Sequence, residues 1–495
     1  MYINIDKINI HQMSLDFNIS QKSILKSLQN YNARYGYKHT YKEQNLSNVL
    51  EEHKNRFFYH FTHIENLDSI LKNGFLSTNE KNRLGIGHTN IANESIQDRR
   101  HNMDVTCQPY GKVHDYVPFY FTTTNPMLLG LVNSKNIDQP LMIFFAISIE
   151  KILEDNVIFT DASANTSTPP NFYNNPSDLN QLDWNAIDKK AWGSTSDEEK
   201  HKRMAEALAQ KEVPLDWIDS IIVWNKGIKE LIEKIYKENN IELPKITYQP
   251  FNGRYFYFTK FALDRKNETL VTGPYLLKNK FDNLIKTIIE KRKTNLLNSK
   301  FQNIQDSIRK IEADFCCIDE LAGIYELETV NEVHNENVSD HTLSVVKNLS
   351  IDSNDYYKNL SIEDKNIVKL SAYLHDIGKG PKSKWADGKQ KAYADHPADA
   401  IPMIERILSE DIEELTEYEI RKISLLVVYH DLIGDIVGNG RSRKELFDII
   451  QDENEFNMLI AISLADVLAI KPDWYIDITL SLDNIKEEVL EELSK

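Results

Sequence analysis

Residues 56–77 (RFFYHFTHIENLDSILKNGFLS) constrain the fold most strongly, because the pattern changes from strand to helix within a few residues. Aromatic side chains predominate over Phe57–Phe61, which predicts a β-strand interrupted by a single imidazole, His60. Thr62 and Glu65 have the spacing of a capping box, and the apolar residues that follow repeat at helical spacing. The stretch therefore predicts a strand that leads directly into a helix.

A histidine at this place has two interpretations. Free backbone N–H groups at a helix start can bind an anion or a ribose, and His60 would lie beside them. In the alternative, the segment is a core strand whose one histidine is hydrogen-bonded inside the protein. The stretch alone favours the core strand, and motifs farther along the chain favour a binding role.

Length and composition restrict the class of protein. A chain of 495 residues is long enough for two or three domains, and 41% hydrophobic with 27% charged residues is typical of a globular protein. No apolar run has the length of a membrane span, and the first residues lack a signal-peptide pattern. Cys107, Cys316 and Cys317 have no disulfide or metal spacing, which fits a reducing compartment. These features predict a cytoplasmic protein with no membrane partner.

The net charge of −17 is unevenly distributed. Residues 331–495 contain 33 acids and 18 bases, a net charge of −15, which leaves −2 for residues 1–330. Within the latter, residues 251–310 contain 13 bases and 5 acids, a net charge of +8. The acidic part argues against binding of an extended polyanion there, whereas the basic segment could contact a nucleic acid or be an ordinary solvated helix face.

The pattern predicts a multidomain fold class, an α+β domain followed by an all-α domain. We expect four segments: a small helical, helix-turn-helix-like module with a linker at 1–50, an α+β domain at 51–260, a basic helical connector at 261–325 and a helical domain at 326–495. Predicted strands include Pro140–Ile149, Asn156–Thr160 and Ile218–Trp224, and a helix is predicted over Lys200–Gln210, carrying Glu206.

Six pieces within 56–259 occur in a characteristic order: YHFTHIENLDSILKNGFLS (59–77), IANESIQDRR (91–100), VHDYVPFYFTTTNPMLL (113–129), IFTDASA (158–164), LDW (182–184) and RMAEALAQKEVPLDWIDSIIV (203–223). In these pieces the segment resembles the DarT-type ADP-ribosyltransferases, which move ADP-ribose from NAD onto thymidine in single-stranded DNA. The resemblance covers nearly the whole of a domain of this kind. It departs from the family at 122–127, where a basic residue and a serine are expected before Pro-Met. This departure bears on which acceptor, or which sequence around it, the enzyme modifies.

The resemblance implies roles for particular residues. His60 would bind the NAD ribose, with Thr62 and Asn66 on the nicotinamide side. Glu206 would bind the ribose 2′-hydroxyl and stabilise the cationic sugar that forms as nicotinamide leaves. Arg99 would assist the acceptor base, with Arg100 as the alternative. The loop at 165–178, which contains Asn171-Phe172-Tyr173, would stack on the nucleobase.

A second group of polar residues lies in the helical part. The segment NIVKLSAYLHDIGKG places His375 and Asp376 at the end of an apolar helix, where burial of both is costly unless they are bonded or coordinate a metal. Four further candidates occur on separate predicted helices: His341, His396, His430 and Asp466. Mixed imidazole and carboxylate ligands suit Mn²⁺, Fe²⁺, Ni²⁺, Mg²⁺ or Zn²⁺.

The order H…HD…H…H…D over about 335–470 resembles the HD phosphohydrolase superfamily in its variant with two metal ions. The resemblance assigns His341, His375, Asp376 and Asp466 to the first ion, and His396 and His430 to the second, with Asp376 shared. Lys379 would contact the phosphate of a phosphate-ester or nucleotide substrate. Two ions would activate the attacking water and stabilise the leaving oxygen.

These features together predict a bifunctional enzyme: an NAD-dependent transferase that modifies single-stranded DNA, fused to a metal-dependent HD domain. Such transferases resemble toxins of toxin–antitoxin or phage-defence systems, which implies an antitoxin partner. Two alternatives stay open. The HD domain could be the working nucleotide phosphohydrolase, with the first domain only sensing NAD, or the chain could be a nucleic-acid binder without turnover.

Overall fold

The structure is a computed structural model of the 495-residue chain. It describes residues 51–87, 99–164, 169–189, 196–248, 256–258, 271–294, 299–330, 336–391 and 393–495. The predicted helical module at 1–50 lies outside the described residues.

The chain divides into two compact units. Unit 1 comprises residues 1–127 and 142–256, and unit 2 comprises residues 128–141 and 257–495. Residues 128–141 therefore belong to unit 2, although in sequence they lie between two parts of unit 1. The division does not decide the boundaries of the four predicted segments, which stay predictions.

Unit 1 contains a mixed sheet of eight strands. In chain order the strands of the unit are β1 Phe57–His63, β2 Phe75–Leu76, β3 Tyr116–Tyr120, β4 Met142–Ser148, β5 Val157–Thr160, β6 Phe172–Tyr173, β7 Glu206–Gln210, β8 Glu212–Val213, β9 Ile218–Ile222 and β10 Lys245–Thr247. The large sheet has the order β10-β9-β4-β1-β3-β7-β5-β6, and β2 and β8 form a separate antiparallel pair. Strand pairing is antiparallel throughout the large sheet except between β9 and β10.

The central strands are covered on both faces. Six of the seven residues of β4 are buried, and β4 reads as an apolar run without alternation. The first four residues of β7 are also buried, with Glu206 among them. Strand β1 pairs with β4 over its whole length, from Phe57 opposite Ser148 to His63 opposite Met142. The predicted strands at 140–149, 156–160 and 218–224 therefore correspond to β4, β5 and β9.

Short helices connect the strands of unit 1: α1 Leu67–Asn73, α2 Thr78–Leu84, α4 Trp184–Asp188, α5 Asp197–Lys202 and α6 Lys226–Glu238. Helix α3, Pro126–Asn133, begins in unit 1 and continues into residues 128–141 of unit 2. A 3₁₀ turn, Ile64–Asn66, separates β1 from α1, and its N-cap is His63. Thr62 is still within β1, so the predicted capping box at this residue is not formed. Gly74 caps α1 with a positive φ of 73°.

The helix predicted over Lys200–Gln210 is wrong in its second half. Helix α5 ends at Lys202, and Glu206 is the first residue of strand β7. The residues of MAEALAQ are all strong helix formers, so the composition fits a helix locally. Strand β7, however, pairs with β3 on one side and β5 on the other, and these ladders override the helix propensity of alanine and leucine.

Unit 2 is helical. Its helices are α7 Pro274–Thr294, α8 Ile304–Ala313, α9 Asp319–Ile324, α10 Val338–Leu349, α11 Asp355–Lys358, α12 Ile362–Leu374, α13 His396–Arg406, α14 Glu417–Val428, α15 Leu432–Gly438, α16 Lys444–Ile449, α17 Glu453–Ile470 and α18 Pro472–Leu493. Two short parallel strands, β11 Glu328–Val330 and β12 Lys389–Lys391, accompany them. The predicted fold class, an α+β domain followed by an all-α domain, is confirmed. No helix within the described residues is both long and apolar enough to span a membrane.

Residues 128–141 are attached to the rest of unit 2 by polar contacts. The carboxylate of Asp138 accepts from the backbone N–H groups of Gly273 and Tyr275, both at 2.9 Å, at the start of α7. The side chain of Asn136 donates to the carbonyl of Gly440 at 2.9 Å and accepts from the N–H of Ser442 at 2.7 Å. A Cβ atom on Gly273 would lie 2.3 Å from a backbone oxygen of this segment, so only glycine permits the approach.

Candidate active sites

The first candidate site lies where strands β1 and β3 meet in unit 1. The two strands share a single backbone pair, Tyr59 opposite Tyr120, so the sheet is only weakly joined at this line. Pro118, in the middle of β3, has no N–H to donate, and its carbonyl accepts from Nδ1 of His60 at 2.9 Å. A side chain therefore takes over part of the pairing that the backbones lack.

The residues predicted to bind NAD lie together at the end of β1. His60 and Thr62 are two positions apart on one strand and so point to the same face. The Nδ2 atom of Asn66 donates to Oγ1 of Thr62 at 3.0 Å, and both residues are buried. Burial lowers the pKa of His60 to about 4, so its imidazole is neutral at pH 7.

Glu206 is fully buried at the start of β7 and its carboxylate is saturated with donors. Nη1 and Nη2 of Arg100 donate to its two oxygens, each at 2.9 Å, and the backbone N–H of Ala164 donates to Oε1 at 2.9 Å. Its own N–H donates to Oγ1 of Thr160 at 3.1 Å. This bidentate ion pair fixes the position of the carboxylate.

Arg100, rather than Arg99, is the arginine at Glu206. Both residues lie in a helical turn at 99–102, but Arg99 is exposed and Arg100 is buried. Glu206 also lies opposite Tyr120, and burial together with this carboxylate raises the pKa of the Tyr120 hydroxyl above its usual range. The structure does not bring Arg99 to the carboxylate, and the role predicted for Arg99 stays a prediction.

The aromatic residues of the loop predicted to cover a nucleobase have partners within the protein. Phe172 is buried in a cluster with Val113 and Tyr116, and the ring of Tyr173 stacks on Phe159 with 5.5 Å between centroids. The Asn171 side chain donates to Asp161 at 2.7 Å. Residues 165–168 of this loop lie outside the described residues, and the predicted stacking on a nucleobase stays a prediction.

The second candidate site lies within unit 2, where five segments bring imidazoles and carboxylates together. His341 lies on α10, His375 follows the last residue of α12, His396 begins α13, His430 follows α14 and Asp466 lies on α17. All six residues predicted as metal ligands, with Asp376 included, are buried. They form overlapping groups whose ligand atoms lie within 4.8 Å of one another.

Backbone carbonyls fix the orientation of three imidazoles. The Nδ1 atoms of His375, His396 and His430 lie 2.8, 2.8 and 2.9 Å from the carbonyl oxygens of Ala372, Tyr393 and Val427. A carbonyl oxygen can only accept, so each Nδ1 carries a proton, and Nε2 of each ring faces the other ligand atoms. This is the arrangement that orients metal-binding histidines in proteins.

The inward-facing atoms suit cations. Nε2 of His396 lies 3.1 Å from Nε2 of His430, and Nε2 of His375 lies 3.4 Å from that of His341. Oδ1 of Asp376 is buried without a hydrogen-bond partner among the described residues. Acceptors at these separations repel one another unless a proton or a metal ion lies between them, so the donor set fits divalent metal ions.

Charges around the site act on the rings unequally. Burial lowers the pKa of His396 to about 4. Burial also opposes protonation of His430, but the adjacent carboxylate of Asp431, with Asp466 and Asp376, raises the pKa of His430 to about 9. In the absence of metal, a proton on His430 therefore offsets part of the negative charge, and a metal ion would displace it.

Lys379 lies at the edge of this group. Its Nζ atom is 2.6 Å from Oδ2 of Asp376, and Asp376 raises its pKa against the effect of burial. The loop that carries it packs closely on α13, since a Cβ atom on Gly378 would lie only 1.9 Å from the carbonyl oxygen of His396. Glycine at 378 is thus required for the loop to approach the second pair of histidines.

Asp431 was not among the predicted site residues, although it lies in this group. Its Oδ1 atom is 3.1 Å from Nε2 of His430, and its Oδ2 atom is 3.6 Å from Nε2 of His396. A signal was present in the sequence, since the dipeptide His-Asp at 430–431 repeats that at 375–376.

The two units match two different families. The family model described as ssDNA thymidine ADP-ribosyltransferase, DarT, matches residues 59–257, and the HD domain model matches residues 338–469. The two matches cover the two candidate sites separately.

Known relatives agree with the first match. A DNA ADP-ribosyl transferase of Thermus sp. (strain 2.9) is 33% identical over 186 residues, which is 36% of this chain and 87% of the relative. A structure described as Thermus sp. 2.9 DarT in complex with ADP-ribosylated ssDNA has 29% identity and a TM-score of 0.38, covering 42% of this chain and 97% of that one. A second, described as Thermus sp. 2.9 DarT in complex with NAD+, has 28% identity and a TM-score of 0.35, covering 41% and 98%. With its match at 59–257 and the HD domain beside it, the chain belongs to the DarT family of DNA ADP-ribosyl transferases and carries an HD domain in the same polypeptide.

Proposed function

We propose that unit 1 transfers ADP-ribose from NAD to a base, thymidine, in single-stranded DNA. The observation that carries the proposal is the buried carboxylate of Glu206, which Arg100 orients. Glu206 lies in the same sheet as His60 and Thr62. Membership of the DarT family supports the reaction class, and NAD is the donor that the resemblance implies.

The reaction places positive charge on a sugar. The bond between the nicotinamide nitrogen and the ribose C1 atom breaks, and nicotinamide leaves with the electron pair. A nucleophilic atom of the acceptor base forms the new bond to C1 and loses its proton. A fixed carboxylate stabilises the cationic sugar between these events, which is the role we assign to Glu206.

The other predicted residues would bind and orient NAD. A neutral His60 can contact a ribose without adding charge near the sugar. The Thr62–Asn66 pair offers hydroxyl and amide groups for the carboxamide of nicotinamide. Arg100 orients the carboxylate of Glu206, and we assign it the positioning role. Arg99, on the exposed side of the same turn, stays a candidate for contact with the acceptor.

Intact-mass analysis tests the transferase. The purified chain is incubated with NAD and single-stranded DNA or RNA oligonucleotides of defined sequence, and we expect a gain of one ADP-ribose on thymidine-containing DNA. Glu206→Gln should abolish the gain, whereas Glu212→Gln, at an exposed position of β8, should retain it. A gain of equal size with Glu206→Gln would overturn the proposal.

For unit 2 we infer a second function, a phosphohydrolase with two divalent metal ions. The supporting observation is the set of inward-facing Nε2 atoms and the unpartnered Oδ1 of Asp376. His341, His375, Asp376 and Asp466 would bind one ion, and His396 and His430, with Asp376 shared, the other. When bound, such a pair supplies Lewis acidity that activates water and stabilises charge on a phosphate.

Lys379 would act on the substrate directly. Its ammonium group pairs with Asp376, and its side chain is 18% exposed. A phosphate oxygen can therefore reach the ammonium group. A point charge of this kind suits a phosphate ester or a nucleotide. The substrate would thus bind with its phosphate between the metal ligands and Lys379.

Metal content and hydrolysis are measured together. The chain is saturated with Mn²⁺, its bound metal is determined by mass spectrometry, and a panel of nucleotides and cyclic nucleotides is screened for released phosphate or nucleoside. Asp376→Asn should reduce both metal content and hydrolysis, whereas Asp387→Asn, at an exposed loop position, should change neither. A chain that binds no metal would refute this function and leave the transferase untouched.

We further infer that the transferase is a toxin of a defence system, opposed by an antitoxin protein. Modification of bases in single-stranded DNA would block templating, which supports a toxic effect on growth. Expression of the chain in bacterial cells should then arrest growth, and Glu206→Gln should relieve the arrest. Equal growth inhibition by both proteins would refute a toxin role for the transferase.

A further inference from the structure

Asp431 occupies a position where aspartate normally has another task. It is the N-cap residue of α15, and aspartate at an N-cap usually accepts from the backbone N–H groups of the first turn. The side chain of Asp431 makes no such bond. Its Oδ1 atom instead lies toward His430 and its Oδ2 atom toward His396, and one carboxylate oxygen lies within 4.8 Å of a ligand atom of each histidine. The side chain gives up a local hydrogen bond in favour of the metal-binding group.

Lys135 reaches the same carboxylate from residues 128–141. Its Nζ atom lies 3.6 Å from Oδ2 of Asp431 and 3.0 Å from Oδ2 of Asp435, one helical turn farther on. The lysine side chain is only 8% exposed. A buried lysine is costly unless it is paired, so its contacts with the two acids account for its position.

The carboxylate of Asp435 has side-chain hydrogen-bond donors other than Lys135, whereas the carboxylate of Asp431 has a different set of contacts. Arg441 donates to Oδ2 of Asp435 at 3.1 Å, and Asn439 donates to its Oδ1 at 2.9 Å. For Asp431, the described contacts are those to the two histidines and to Lys135. Lys135 is thus the lysine that the described ion pairs place at Oδ2 of Asp431.

We propose that Asp431 is a ligand of the second metal ion, together with His396 and His430, and that Lys135 is the residue that positions it. The proposal rests on the metal-dependent function inferred for unit 2. Its consequence is that the HD site depends on a residue from outside the HD match, inside the stretch matched by the DarT model. Ligating carboxylates are commonly oriented by such a partner, and loss of the partner weakens metal binding about 10- to 100-fold.

Titration calorimetry of the full-length chain with Mn²⁺, after chelator treatment and dialysis, tests the ligand. We expect two ions for the unaltered chain and one ion for Asp431→Asn, with the affinity of the remaining ion unchanged. Asp435→Asn is the matched control, with the same chemical change one turn away, and it should still bind two ions. Two ions of unchanged affinity in Asp431→Asn would overturn the proposal.

The positioning role of Lys135 predicts a change in the affinity of the second ion and no loss of an ion. Lys135→Met should weaken the second ion about 10- to 100-fold and leave the first unchanged, and Lys135→Arg, which keeps the charge, should restore most of the loss. Equal weakening of both ions, or no rescue by arginine, would show a merely structural role and contradict the proposal. Thermal unfolding of the metal-free variants verifies that each is folded.

The same titration separates this inference from the proposed function. If the unaltered chain binds no Mn²⁺ or a single ion, the two-ion function itself is refuted, and the inference with it. If the unaltered chain binds two ions and Asp431→Asn also binds two, only the inference is refuted.

Discussion

In unit 1 the carboxylate of Glu206 meets the guanidinium of Arg100 at 2.9 Å, whereas in unit 2 the Nε2 atoms of His396 and His430 face each other at 3.1 Å. In the first site the charge of the acid is compensated within the protein, since Glu206 and Arg100 form an ion pair. The second consists largely of acceptors. In the functions proposed above, the transferase site would need only its substrates, whereas the HD site would also need metal ions.

Removal of Arg100 should have the largest effect on stability. Arg100→Leu leaves a buried carboxylate without its partner, and we expect the free energy of unfolding of unit 1 to fall by about 3–5 kcal/mol. Denaturant unfolding measures the change. The control Arg99→Leu, on the exposed side of the same turn, should stay within about 0.5 kcal/mol of the unaltered chain. Equal effects of both variants would contradict a balanced Glu206–Arg100 pair.

Metal ions should stabilise unit 2 and not unit 1. At a free Mn²⁺ concentration a hundredfold above its dissociation constant, one ion adds about 2.7 kcal/mol to the free energy of unfolding. Calorimetric scans with metal and with chelator should therefore shift the transition of unit 2 alone. A shift of the unit 1 transition that persists in Asp376→Asn would break the comparison between the sites.

The close approach at Gly378 offers a smaller perturbation. Gly378→Ala places a methyl group against the backbone of His396 and Ala400, and we expect a loss of about 1–3 kcal/mol in the stability of unit 2. Binding of the second metal ion should be weakened more than binding of the first, because we assign His396 to the second. Gly438→Ala, where a Cβ atom would meet nothing within 4 Å, is the control and should be close to neutral.

The smallest expected effect is that of pH on NAD binding, which we expect to be absent between pH 8 and about 5.5. Burial lowers the pKa of His60 to about 4, so the imidazole stays neutral as the pH falls from 8 to about 5.5. NAD affinity of the inactive Glu206→Gln variant, measured by calorimetry, should be constant over that range. Only below it would His60 take up a proton in the folded chain. A change in affinity centred near pH 6.5 would mean that His60 titrates normally and is not buried as described.

The HD site was more accessible to sequence reasoning than the transferase site. His375, His396 and His430 lie at or next to the ends of helices, and a His-Asp pair at the end of an apolar helix is conspicuous in sequence. The structure brings the six predicted residues together, although their metal-binding role stays a prediction. The sequence does not single out Asp431, because an aspartate before a helix is usually explained as an N-cap. Only the side-chain contacts show that Asp431 makes no capping hydrogen bond.

In unit 1 the local pattern was misleading where long-range pairing decides the structure. MAEALAQ has the composition of a helix, and only its ladders with β3 and β5 make it a strand. Which of two adjacent arginines turns inward depends on the turn at 99–102, which no periodicity over so few residues can specify. The assignment of residues 128–141 to unit 2 likewise arises from contacts across more than a hundred positions of sequence.

That assignment affects how the protein can be divided. A chain that stopped after the DarT match would retain Asn136 and Asp138 but lose Ser442 and Gly273, with which they bond. A chain that began at the HD match would lack Lys135. A protease cut, a frameshift or a truncated gene would therefore impair both halves together, so the two activities would be inherited as one trait rather than as separable modules.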